Sequence, residues 1–244
     1  MTGHARPPFH CCGMHSSTAR PFWNMVSMTV RVRSILVGLP AEIHDDQSDT
    51  PWFSGFVKLP VPGTVHIGRE GIAGDGQADR AVHGGSEKAI LAYCADHYGP
   101  WSSELQRNDL GDGAFGENLA ITGLDEEAVA IGDRFRIGSA VIEVSQPRQP
   151  CWKLARRCRM PTMPAKAIAN GRLGWYFRVV EEGETSAGCE AVPCGRPNPA
   201  WTIARINRLF FGPVEAARRG LSEALALPEM SSEFVAICVK RLGG

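Results

Sequence analysis

The sequence predicts a mainly β fold with added helices: a β-barrel or sandwich core followed by a small all-α segment. Three observations carry this. Short apolar runs rich in Val, Ile and Phe recur between residues 30 and 180, separated by turns containing Gly and Pro. They do not alternate with long helical patterns, as repeated βαβ units would. Beyond a Pro-rich stretch at residues 193–199 the apolar spacing becomes helical.

Composition narrows the class. The chain has 244 residues, 43% of them hydrophobic, enough for one large domain or one domain with a small appendage. Formal net charge is zero, so no global field points to a nucleic-acid polymer or a membrane surface. A local basic pocket is still compatible with it. No apolar run reaches membrane-spanning length, and the N-terminus lacks the pattern of a secretory signal, so a cytoplasmic location is expected. The eight cysteines contain no CxxC pair and do not read as a disulfide framework, which suits free thiols in a reducing compartment.

Taken in order, residues 1–27 hold His4, His10, His15 and Cys11-Cys12 without periodicity. They read as a disordered tail or as residues upstream of a natural start at Met28. A His/Cys metal tract is the alternative, with irregular ligand spacing against it. The main domain is expected over 28–192, a linker over 193–198 and a helical domain over 199–244. Val30–Val37 reads as a strand stopped by Gly38-Leu39-Pro40, and 41–51 as an acidic surface loop. Trp52–Lys58 and the segment from Val65 read as strands. Residues 86–98 read as a helix capped by Ser86, with Cys94 in the core, and Trp101–Leu110 as a second helix. Strands follow at 129–137 with a turn between them, at Ala140–Val144 and at Gly174–Val180; a turn-rich region runs on to Gly195. Thr202 caps Ile203–Phe211, and further helical runs cover Val214–Arg219, Glu223–Ala226 and Phe234–Leu242. This tail carries no chemistry of its own and reads as a docking or dimerisation element, which leaves a homodimer open.

The chemistry concentrates at Ser145-Gln146-Pro147-Arg148-Gln149-Pro150-Cys151-Trp152-Lys153-Leu154. Pro150 fixes φ and removes a donor, so Cys151 is expected at a rigid corner between a strand and a helix. Flanking cations and a helix start both favour a thiolate, which is a nucleophile or a soft-metal ligand. Two glycine-rich stretches precede it. Gly74-Asp75-Gly76-Gln77-Ala78-Asp79 with His83-Gly84-Gly85 matches neither a phosphate loop nor a dinucleotide fingerprint, yet glycine allows close backbone approach to a ligand. His83 reads either as a hydrogen-bonded structural histidine or as a site residue. Asn118, in Phe115-Gly116-Glu117-Asn118-Leu119, reads either as a ligand contact or as the centre of an Asx turn.

These three motifs in this order, with the helical tail, resemble the MOSC family, named for the C-terminal domain of molybdenum cofactor sulfurase, and in particular its YiiM-like branch. The resemblance covers roughly residues 30–190. It implies a β-barrel-like fold with a three-helix domain behind it, a molybdenum–molybdopterin cofactor, and Cys151 as the molybdenum ligand. It implies Arg148 and Lys153, with Arg80 as a further candidate, as partners for the pterin phosphate. Gln77, Gly84, Gly85 and Asn118 become site-lining candidates. The activity implied is reduction of N-hydroxylated compounds of the hydroxylaminopurine type: two electrons break the N–O bond and water leaves. His83, with Asp75 as second choice, would supply the proton. No flavin, haem or iron–sulfur motif is legible, so a separate electron-donor reductase is implied. Two alternatives keep the fold: a Cys151 persulfide that transfers sulfur, and a non-enzymatic molybdopterin carrier.

Overall fold

The computed structural model describes residues 29–45, 48–79 and 83–243. The readings of the N-terminal tail and of Arg80 lie outside the described residues. The first half of the chain supplies β1 (Arg31–Val37), β2 (Ala41–Asp45), β3 (Ser48–Ser54), β4 (Leu59–Pro60), β5 (Thr64–Gly68), β6 (Gly71–Ile72), β7 (Ile90–Cys94), helix α1 (Tyr98–Leu105) and β8 (Leu119–Thr122). The second half supplies β9 (Arg134–Ile137), β10 (Ala140–Pro147), helices α2 (Trp152–Arg157) and α3 (Met163–Asn170), then β11 (Trp175–Glu181), β12 (Gly183–Ser186) and β13 (Ala191–Gly195). Three helices close it: α4 (Ile203–Phe211), α5 (Val214–Leu225) and α6 (Ser232–Gly243).

Eight strands form one mixed sheet, in the order β13-β9-β10-β11-β7-β8-β1-β4, which curls into a half-barrel. Every pair in it is antiparallel except β7–β8. A parallel pair needs a crossover rather than a hairpin. Residues 95–118 provide it, through α1 and a glycine turn that returns at Gly116–Asn118. The long strand β10 is buried along its whole length and delivers the chain to Cys151.

Several elements differ from the sequence-based expectation. Residues 86–98 are not a helix: Ser86–Lys88 make one 3-10 turn, and Ile90–Cys94 form β7. A run that is apolar at every position fits a strand covered on both faces as well as it fits a helix. All five residues of β7 are buried, between β11 and β8. Residues 41–45 and 48–51 are not a loop but most of the paired strands β2 and β3. Their polar residues have tertiary partners: Arg156 grips Asp45 with two 2.8 Å hydrogen bonds, and Trp52 Nε1 donates to Asp45 at 2.8 Å. Of the expected linker, Pro193–Gly195 belong to β13, an edge strand, where proline costs no ladder bond.

The tail is helical as expected, and Thr202 Oγ1 accepts the Arg205 amide at 3.2 Å. Ser222 starts no new helix; its hydroxyl donates to the Arg218 carbonyl inside α5. The three helices share the core of the half-barrel. Ile206, Phe210, Leu221 and Phe234 belong to one buried cluster with Phe135, Ile142 and Val144. The start of α6 is also tied to β10: the Ser231 amide donates to the Ser145 carbonyl at 3.0 Å, and Ser231 Oγ donates to Gln146. Among the described residues no helix is long and apolar enough to cross a membrane.

Candidate functional site

Cys151 sits where β10 gives way to α2, with extended backbone (φ −111°, ψ 174°) as the N-cap of α2. Pro150 before it and the helix after it leave the residue little conformational choice. Cys151 lines a cavity of about 610 Å³ counted together with its open mouth to solvent. Among the described residues it is the one cysteine on that wall. Cys94, Cys158 and Cys238 are buried elsewhere, and burial pushes their thiols up to about 12, 11 and 12. Cys158, one helix away, turns its sulfur to the Ala114 carbonyl at 3.6 Å rather than towards Cys151.

Four cations face the same space. Arg148 is 2% exposed; its guanidinium donates to the carbonyls of Leu173 at 3.3 Å and Phe115 at 3.0 Å, and lies 5.9 Å from the Phe56 ring centre. Lys153 rises from the first turn of α2 beside the Trp152 ring. Lys58 and Lys88 complete the set, both buried. Lys58 pairs with Asp75, and burial lowers its pKa against the opposing pull of that carboxylate. Lys88 pairs with Glu233 of α6 at 2.5 Å. With Lys58 and Lys88 matched by carboxylates, Arg148 and Lys153 are the charges that an anion in the cavity would balance.

The roof comes from the end of β3. Ser54, Gly55 and Phe56 lie over the cavity and against the 75–78 loop. Gly55 is held to glycine by contact: a Cβ there would sit 2.1 Å from the Gly76 carbonyl oxygen. Asp75 anchors that loop. Its carboxylate accepts from the Gly38 amide at 2.9 Å, from Gln77 Nε2 at 3.2 Å and from Lys58. A carboxylate with three donors is built as an acceptor, so Asp75 is better placed to hold Lys58 than to give up a proton. Gly84 takes φ +81°, and a Cβ on it would meet the Gln77 side chain at 2.6 Å.

His83 lies on the cavity wall, and its backbone amide donates to the Asp79 carbonyl at 3.0 Å. Burial lowers its pKa, and the charges of Lys153 and Lys88 lower it further, which favours the neutral ring. Asn118 also lines the wall, but its amide works first as a strand clamp. Oδ1 accepts the Leu91 amide at 3.1 Å and Nδ2 donates to the Leu36 carbonyl at 3.2 Å, tying β7 to β1. Glu117 beside it is fully buried, which raises its pKa, and it holds the crossover turn through Tyr98 and the amides of Gly113 and Phe115.

One cavity therefore gathers Cys151, His83, Asp75, Gln77, Gly84, Asn118, Arg148 and Lys153, all expected from the sequence. Gly85 is not on the wall; it precedes the 3-10 turn with open space around it. Sequence reasoning missed Lys58, Lys88, Phe56 and Tyr176. Lys88 stood in a run read as helix, where lysine is an ordinary surface residue, and Lys58 carried no local signal. Beyond Cys151 the space continues into an outer chamber bounded by Trp152, His83, Tyr176 and, from α6, Glu233 and Ile237.

Among the described residues no three His, Cys, Asp or Glu side chains converge as a metal cage. A metal at Cys151 would bring its other ligands with it, and an anionic carrier suits the surrounding cations. The architecture is a curled half-barrel with one thiol on the wall of a cavity that Lys58, Lys88, Arg148 and Lys153 also line. The chain belongs to the MOSC domain family, whose model matches residues 79–192. It is 40% identical over 207 residues to the uncharacterised protein YflK of Bacillus subtilis, covering 84% of this chain and 92% of that one. It is 36% identical over 192 residues to a protein named reductase from Gibberella moniliformis; that match covers 78% of this chain and 34% of the fungal protein. The crystal structure of YiiM from Geobacillus stearothermophilus superposes with a TM-score of 0.72 at 33% identity, covering 87% of this chain and 99% of that one.

Proposed function

We propose that the protein is a reductase of N-hydroxylated compounds, of the hydroxylaminopurine type, that depends on a molybdenum cofactor held through Cys151. The observation that carries this is one accessible thiol among Lys58, Lys88, Arg148 and Lys153. When bound, the cofactor supplies the two-electron reduction that separates oxygen from nitrogen. Cys151 is the thiolate ligand, and Arg148 and Lys153 pair with the phosphate of the pterin. Lys58 adds charge from the roof side while Asp75 fixes its position. Burial, then the charges of Lys153 and Lys88, lower the His83 pKa. An anion lodged among the cations would offset the charge part of that lowering, which favours a protonated His83 able to give its proton to the departing oxygen. Electrons come from a separate reductase.

The test is expression with molybdate, followed by metal and pterin quantification in wild type and Cys151→Ser. A hydroxyl is a harder and less polarisable donor than a thiolate. At least a tenfold loss of molybdenum is expected in the variant, and wild-type levels would remove Cys151 from the ligand role. Sulfane sulfur on Cys151 without metal would select the sulfur-transfer alternative. Bound cofactor without N-hydroxyl reduction, despite a supplied electron source, would select the carrier.

A further inference from the structure

The two connected chambers differ in chemistry. Lys88 and Lys153 line both; the inner wall adds Arg148 and Lys58, the latter held by Asp75. The described wall of the outer chamber, about 1320 Å³ with its open mouth, sets Lys88 and Lys153 against Asp79 and Glu233 and is balanced in formal charge. It is also aromatic at the rim: Phe53 and Trp152 are 61% and 56% exposed. Exposed aromatic faces at the mouth of a cavity offer stacking area for a flat ligand. Glu233 comes from the C-terminal helices, and its side chain is 39% exposed although one oxygen holds Lys88.

We infer that the outer chamber selects planar cationic ring ligands over uncharged ones, and that Glu233 of α6 is the residue that sets this selection. Without that carboxylate, Lys88 and Lys153 would repel a ring bearing a basic amidine or a polarised N–H edge. With it, the ring can stack at the rim and donate to Glu233, while anions are drawn past it to the inner chamber. The C-terminal helices thereby form part of the site, beyond any docking role. The inference rests on the reductase reading only in treating this ligand as the substrate.

Benzamidine and its uncharged isostere benzamide test it on the full chain without molybdenum, by titration calorimetry and by the change in tryptophan fluorescence that Trp152→Phe removes. Wild type is expected to bind benzamidine at least tenfold tighter than benzamide, and Glu233→Gln to abolish that ratio while leaving benzamide unchanged. An unchanged ratio in Glu233→Gln, no binding of benzamidine to wild type, or loss of the ratio in Asp79→Asn instead would each overturn it. Glu233→Gln leaves the buried Lys88 without the Glu233 carboxylate and is expected to lower the thermal midpoint, so unchanged benzamide binding is the readout that separates lost recognition from lost folding. Because binding is read without metal, its failure leaves the molybdenum result for Cys151→Ser intact, and the reverse also holds.

Discussion

At the scale of single residues, the site is organised by which charges are already spent. Asp75 has its donors, and Lys58 is one of them. Removing one partner of a buried ion pair strands the other charge, which costs about 3–5 kcal/mol. We therefore expect Lys58→Met to lower the free energy of unfolding in urea by about 3 kcal/mol. Adding Asp75→Asn should restore part of that loss, since no carboxylate is then left without its cation. A double variant no more stable than Lys58→Met would show that the pair is not coupled. Cys151 was legible because proline, cysteine and two cations stand together in the chain. Lys58 and Lys88 were not, because nothing adjacent to either one marks it; their role arises when distant strands bring them to one wall.

At the scale of elements, the least secure reading was the type of a short apolar run. Ile90–Cys94 looked helical behind a capping serine and is the central strand β7, since burial on both faces removes the alternation that identifies a strand. The β2–β3 hairpin was hidden for the opposite reason: its acidic residues resemble a loop until Arg156 and Trp52 are seen to satisfy Asp45. Among the described residues the hairpin pairs with no strand of the main sheet. What docks it is Arg156, bonded twice to Asp45 and 5.7 Å from the Trp52 ring, together with Trp52 packed edge-on to Trp152. Arg156→Ala should loosen it by about 2 kcal/mol. Amide hydrogen exchange over 41–56 should then accelerate about thirtyfold while β10 and β11 keep wild-type rates. Unchanged exchange in the hairpin would mean that packing alone holds it.

At the scale of the molecule, the change of pattern near residue 199 is real, and α4 begins where Thr202 predicts. Sequence composition suggested a linker and a separate unit, whereas the helices bury Phe210, Leu221 and Phe234 in the same cluster as β9 and β10. Apolar spacing reports that a helix has a buried face; it does not report what covers that face. A shared core should unfold as one unit. Urea denaturation followed by far-ultraviolet dichroism and by tryptophan fluorescence should give coincident transitions, and Phe234→Ala should shift both by about 3–4 kcal/mol. Two separated transitions would restore an independent helical domain. The tie between Ser231 and Ser145-Gln146 also has a temporal side. On the ribosome, α6 is the last described element to emerge, long after Cys151. The outer chamber therefore acquires Glu233 and Ile237 only once α6 has emerged, well after the chain around Cys151 is free to fold.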